Sequence, residues 1–148
     1  MKVRIAALVV LTLSAATGAG VAPTAQDPLA AVKALKCSFP VYASARWAER
    51  TPEALTGTDT LAFQIDSIDY KRRSARIVAT GAALATLLHT SAGLNVIEQT
   101  PAGNLTVTTV FAGGGVGTTF LAVHSRHLGE TNAPPRLSQY YGTCELAP

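Results

Sequence analysis

The sequence lacks most of the motifs from which enzyme and cofactor sites are built. It has only two cysteines, Cys37 and Cys144, and they do not form the closely spaced pairs typical of structural metal sites. It has no Gly-x-Ser-x-Gly elbow to present a serine nucleophile. Its glycine-rich stretch at 113–117 lacks the Gly-Lys-Ser/Thr ending of a phosphate loop. These absences favour a protein without a cofactor and count against an enzyme.

The chain also lacks an apolar run of the roughly 20 residues needed to span a bilayer. Its main apolar run, 5–13, follows Lys2 and Arg4 and fades into small residues over 14–20. A charged start, a short apolar region and a small-residue zone are typical of a secretory signal peptide. We therefore predict a signal peptide over 1–22, with cleavage between about residues 19 and 25. The mature protein is expected in the periplasm or outside the cell, without a transmembrane segment.

The basic net charge comes mainly from this targeting segment. The whole chain has 12 Lys plus Arg against 9 Asp plus Glu, and loss of Lys2 and Arg4 leaves ten against nine. A nearly neutral mature protein gives no reason to expect a nucleic-acid partner.

The segment after the signal peptide, 23–36, is predicted to be a tether and a short helix. Asp27-Pro28 is typical of a helix start, and Leu29, Val32 and Leu35 recur at about helical spacing, which predicts a helix from Asp27 to Lys36. The rest, 37–148, is predicted to be a single β domain. Export makes a disulfide between Cys37 and Cys144 the expected state of the two thiols.

After Cys37 the pattern alternates between apolar and polar residues, most clearly in 61–66 and 105–111. Further strands are predicted at 74–80, 82–89, 94–98, 118–125 and 138–144. The segment 82–88 is alanine- and leucine-rich and has helical propensity, but neighbouring glycines leave little room for a helix. The lone Trp47 is expected to plug one end of the core.

Turn-forming residues separate the predicted strands, among them 71–73, 101–104 and 132–135. Short strands with hairpin-length loops indicate an all-β antiparallel meander. Such a meander closes into a small barrel, or folds into a sandwich, to protect its edge strands. With Cys37 on the first strand and Cys144 on the last, the disulfide would join the strands where a sheet closes, so we favour the barrel.

One polar cluster, His124, His127 and Glu130, has the residue types of a metal site. Residues three apart on a strand point to opposite faces, so the two histidines converge only if the strand ends near Ser125. We therefore predict no metal site here.

Three other residues are candidates for ligand contact. Glu98 shares a core-facing row with Leu94 and Val96, which places its carboxylate at the end of a strand or inside a cavity. Tyr140 and Tyr141 occupy alternate faces of the last strand, so one should pack inward and the other should be exposed or face a ligand.

The leading Cys-Ser-Phe-Pro at 37–40, the segment Val-His-Ser-Arg-His at 123–127 and the closing Tyr-Gly-Thr-Cys at 141–144 resemble a group of uncharacterised small exported bacterial proteins. The resemblance implies export and a terminal cysteine pair. It implies no activity, cofactor or catalytic residue.

The sequence is compatible with three functions. The leading hypothesis is a non-enzymatic exported β domain that binds a small apolar ligand or an envelope partner, since closed β-meanders are prone to form cavities. The second is a metal-dependent or hydrolytic enzyme that uses His124, His127 and Glu130. The third is a structural or assembly module that pairs through exposed strands.

Overall fold

The structure, a computed structural model, describes residues 27–79 and 82–148. The predicted signal peptide and the tether up to residue 26 lie outside the described residues.

Eight antiparallel strands form a closed barrel in which each strand pairs with the next and the last pairs with the first. The strands are β1 (Leu35–Ala48), β2 (Thr51–Asp69), β3 (Ser74–Val78), β4 (Ala82–Thr90), β5 (Gly93–Gln99), β6 (Leu105–Phe111), β7 (Thr119–Glu130) and β8 (Ala133–Leu146). This confirms the all-β meander and the barrel, and excludes the sandwich. The described residues contain no α-helix.

The barrel interior is filled by the inward-facing side chains of the alternating strands. In β1, for example, Leu35, Cys37 and Phe39 are fully buried while Lys36 and Ser38 are exposed. The ring of Phe39 stacks on that of Phe63 from β2, with centroids 5.4 Å apart. An eight-stranded barrel has an interior just wide enough for side chains, and here they occupy it.

A disulfide lies across the seam where the ring closes. Cys37 of β1 and Cys144 of β8 are register partners, they are bonded, and both are fully buried. Just before it, a Cβ on Gly142 would lie 1.9 Å from the carbonyl oxygen of Ser38, so only glycine permits this close approach of β8 to β1. The seam thus combines a covalent bond with unusually close backbone packing.

One end of the barrel is plugged by residues 27–34. Leu29 and Val32 are buried in the core cluster, and the Tyr70 hydroxyl donates a hydrogen bond to the carbonyl of Leu29. The Asp27 carboxylate lies 2.8 Å from Nε2 of His89 on β4. The plug therefore contacts both β4 and the segment that follows β2.

The helix predicted from Asp27 to Lys36 is wrong. Asp27 does accept a hydrogen bond from the Leu29 amide at 2.9 Å, but the chain makes only one turn and β1 begins at Leu35. A helix this short is marginal alone, and pairing of β1 with both β2 and β8 provides more hydrogen bonds for residues 35 and 36.

The other end is open, with a wall on one side. Strands β1, β2, β7 and β8 continue past the ends of the short strands β3 to β6, and they form the wall with their hairpins.

Two predictions for this wall are wrong, namely that the turn extends over 133–135 and that Trp47 plugs one end of the core. Pro134 and Pro135 belong to strand β8, next to a register shift that accommodates residues without an amide hydrogen. Trp47 lies opposite Pro52 near the tip of the β1–β2 hairpin, outside the core.

The seam disulfide should contribute strongly to stability. Replacing both cysteines by alanine should lower the free energy of unfolding by up to about 4.7 kcal/mol, the chain-entropy value for a loop of roughly 100 residues. Urea denaturation with and without reductant measures this, and the double variant should be insensitive to reductant. Stoichiometric alkylation of both thiols in the native, non-reduced protein would contradict the bond.

The plug should be an integral part of the core. Leu29→Ala should lower the free energy of unfolding by about 2–5 kcal/mol, because it empties a fully buried site. The matched control Leu84→Ala removes a side chain that is 77% exposed and should change stability by less than about 0.5 kcal/mol. Equal effects of the two variants in urea denaturation would show that the plug does not belong to the folded unit.

Candidate ligand site at the open end of the barrel

An aromatic layer separates the packed interior from the open end. Tyr42, Tyr140, His124 and Thr108 are successive register partners across β1, β8, β7 and β6, and their side chains form this layer. The ring centroid of Tyr140 lies 5.7 Å from that of Tyr42 and 6.1 Å from that of His124. We call these four residues the floor, because Phe39 and Phe63 pack against the His124 ring from the core.

The floor contains a buried histidine that is neutral at physiological pH. Its Nδ1 lies 2.8 Å from the hydroxyl of Thr108. Burial, with a smaller contribution from the positive charge of Arg126, lowers the pKa of His124 to about 4. An uncharged imidazole is compatible with the surrounding rings, whereas a charged one would be poorly solvated there.

A polar row lies one step above the floor, at the rim. Glu98, Thr106, Arg126, Ser138 and Ser44 are register partners in this order across β5, β6, β7, β8 and β1. The Thr106 hydroxyl donates to the Glu98 carboxylate at 3.3 Å. The rim therefore carries charges of both signs, with the carboxylate on the short side and the guanidinium on the wall.

Beyond the rim, the wall adds one further row of side chains on the inward face of the strands. Leu128 of β7 is the register partner of Arg136 of β8, and Arg46 of β1 is that of Glu53 of β2. The Arg46 Nε donates to a Glu53 carboxylate oxygen at 3.0 Å, which fixes that guanidinium. The wall and the floor bound a cleft of about 350 Å³ that includes Tyr140, Ser138, Arg126, Leu128, Arg136 and Arg46.

The predicted ligand candidates divide between this cleft and other surfaces. Tyr140 is buried at the floor, as expected for the inward member of its pair. Tyr141 is exposed on the outer face, where its hydroxyl donates to the Gln139 side chain at 2.8 Å. Glu98 lies one residue before the end of β5, half-buried at the rim.

The structure does not bring His124 and His127 together. Strand β7 continues to Glu130, so it does not end near Ser125, and His127 is exposed while His124 is buried inside. In the described part of the chain, no group of three or more His, Cys, Asp or Glu is arranged to hold a metal ion.

Sequence reasoning missed Tyr42 and the three arginines of the wall. The signal for two of them was the period of two: Arg126 is two residues from His124, and Arg136 is four residues from Tyr140. The predicted strands were 118–125 and 138–144. Arg126 and Arg136 lie just outside these ranges, so the alternation of inward and outward residues was not extended to them.

Comparisons with protein-family models, with curated proteins and with solved structures gave no match. Among the described residues, no helix has the length and apolarity required to cross a membrane. The buried disulfide is consistent with an oxidising compartment.

His124 should make the protein less stable in acid. Its folded pKa is about 4, whereas an unfolded histidine has a pKa of about 6.5, so between these values the unfolded chain binds more protons and stability falls as pH falls. The loss should reach roughly 3 kcal/mol near pH 4 and then level off for this group.

Urea denaturation between pH 7 and pH 4 measures this contribution. In the variant His124→Gln, this loss of unfolding free energy between pH 7 and pH 4 should be absent. The control His127→Gln, at an exposed site, should show the same dependence of stability on pH as the wild type. An NMR titration that gives His124 a pKa near 6.5 would contradict the assignment.

Proposed function

We propose that this protein is an exported, non-enzymatic barrel domain that binds a small ligand in the cleft at its open end. The observation that carries the proposal is the cleft itself, about 350 Å³ in volume, which lies above the Tyr140 ring of the floor and is lined by the wall strands β1, β7 and β8. Ligand sites are typically concave and combine apolar contacts with a few polar groups. The N-terminal targeting pattern and the disulfide support export.

The chemistry of the floor supports binding over catalysis. His124 is neutral, buried among rings and hydrogen-bonded to Thr108, whose hydroxyl is fully enclosed in the core. Among the described residues, no buried side-chain nitrogen or oxygen lacks a hydrogen-bond partner. A site whose polar groups already satisfy one another is preorganised, which reduces the cost of binding.

The ligand should lie on the floor, above the packed interior. The interior below Tyr140 and His124 is occupied by Phe39, Phe63 and their neighbours, so a long apolar chain has no room to enter. We therefore propose a compact ligand with an apolar part that contacts the Tyr140 ring and Leu128.

A second candidate function is assembly with a protein partner through β2. Residues 51–61 of β2 pair with β1, and among the described residues they have no partner on the other side. Unpaired edges of this kind accept a further strand. However, Pro52, Glu53 and Asp59 lie along this edge, and proline and charged residues are the usual means of preventing such pairing. We therefore rank it second.

Binding at the cleft can be tested with N-phenyl-1-naphthylamine, an uncharged dye that fluoresces in apolar surroundings. The wild type should bind it saturably at one-to-one stoichiometry. Ser138→Trp should abolish this binding, because Ser138 lies at the centre of the cleft and an indole there fills it.

The matched control is Ser38→Trp, the same substitution at an exposed position on the outer face of β1. It should bind the dye as the wild type does. No saturable binding by the wild type, or equal binding by the Ser138→Trp variant, would contradict the proposed site.

A further inference from the structure

We propose that the ligand is a small amphipathic organic anion, and that Arg126 and Arg136 bind its carboxylate or phosphate group at the rim while its apolar part rests on the floor. This inference rests on the proposed function and adds the chemical class of the ligand.

The strand register places the two arginines together. Arg126 is the partner of Ser138, and Arg136 lies two residues before Ser138 on the same face of β8. Diagonal neighbours of this kind have Cα atoms about 7–8 Å apart, within reach of long side chains. Both residues line the cleft, so both guanidinium groups can reach an anion that lies between them.

The charged groups on either side of Arg126 are engaged by other residues. Arg46 is held by Glu53 at 3.0 Å, and the Glu98 carboxylate accepts the hydroxyl of Thr106 on the other side of the rim. Among the side chains that the structure describes, no carboxylate forms an ion pair with Arg126. The Arg126 charge also contributes to the low pKa of His124 directly below it, so its field reaches the floor.

Guanidinium groups suit an oxyanion better than any other ligand group. Their planar N–H donors match carboxylate and phosphate oxygens, and such charge-assisted bonds are among the strongest in proteins. Arg126 is half-buried, which weakens the screening by water. The tyrosine rings beneath favour an apolar or aromatic group on the same molecule.

Two dyes with one ring system test the anion. The dye 8-anilinonaphthalene-1-sulfonate has the rings of N-phenyl-1-naphthylamine together with a sulfonate. The wild type should bind the sulfonate dye more tightly than the neutral dye by about tenfold or more, because of the charge-assisted bonds. Arg126→Gln should weaken binding of the sulfonate dye more than binding of the neutral dye, so that the roughly tenfold preference is lost.

Arg136→Gln provides a second variant at an exposed site and should reduce the same preference. The matched control is Arg72→Gln, which removes a guanidinium in the turn between β2 and β3 at the plugged end. It should bind both dyes as the wild type does. Circular dichroism of each variant shows whether it is folded.

Displacement distinguishes the two kinds of oxyanion. If 1-naphthoate displaces the sulfonate dye at a lower concentration than 1-naphthyl phosphate does, the ligand group is a carboxylate. If 1-naphthyl phosphate displaces the dye at the lower concentration, the ligand group is a phosphate. Either result supports the proposal. Displacement by neither compound would overturn it.

The outcomes also separate this inference from the proposed function. If the neutral dye binds and the sulfonate dye binds no more tightly, or if folded Arg126→Gln and Arg136→Gln both keep the preference, the anion proposal is wrong and the ligand site stands. If neither dye binds saturably, the proposed function itself fails.

Discussion

Strand β1 has to pair on both edges for this ring to exist, and the rest of the structure depends on that double pairing. Its register with β2 and with β8 starts at Leu35 and shifts near Pro40 on both sides. The Cys37–Cys144 bond joins the two strands within this register, and Gly142 permits their close approach. A chain that failed to pair β1 with β8 would leave two long strand edges exposed to aggregation.

The same two strands form most of the candidate site. Beyond the shift, β1 and β8 continue onto the wall and bring Tyr42, Ser44, Ser138 and Tyr140 to one inward face. The wall therefore adjoins the disulfide seam, and the floor rests directly on the packed core. A ligand site supported in this way is held in position by strands, and rigid support of this kind lowers the entropic cost of binding.

Much of the fold was predictable from local pattern, and the failures have physical causes. Strict alternation identified 105–111, and pairing with β3 and β5 confirms the strand at 82–89 against its helical propensity. The first half of β2, with Thr, Gly and Ala but few large apolar residues, gave no periodic signal. For the site, alternation placed Tyr140 and Tyr141 on opposite faces of the last strand and separated His124 from His127. Arg126 and Arg136 were not grouped, because their proximity comes from the β7–β8 register, which a single sequence does not reveal.

The central claim is that the open end of the barrel is the binding surface. Amide chemical shifts of the ¹⁵N-labelled protein, recorded as 8-anilinonaphthalene-1-sulfonate is added, test it most directly. The account predicts saturable shifts concentrated at the rim and floor, around Arg126, Ser138 and Tyr140, with little change at the plug near Leu29 and His89. Shifts centred on the plugged end, or spread over the outer face without saturation, would contradict it.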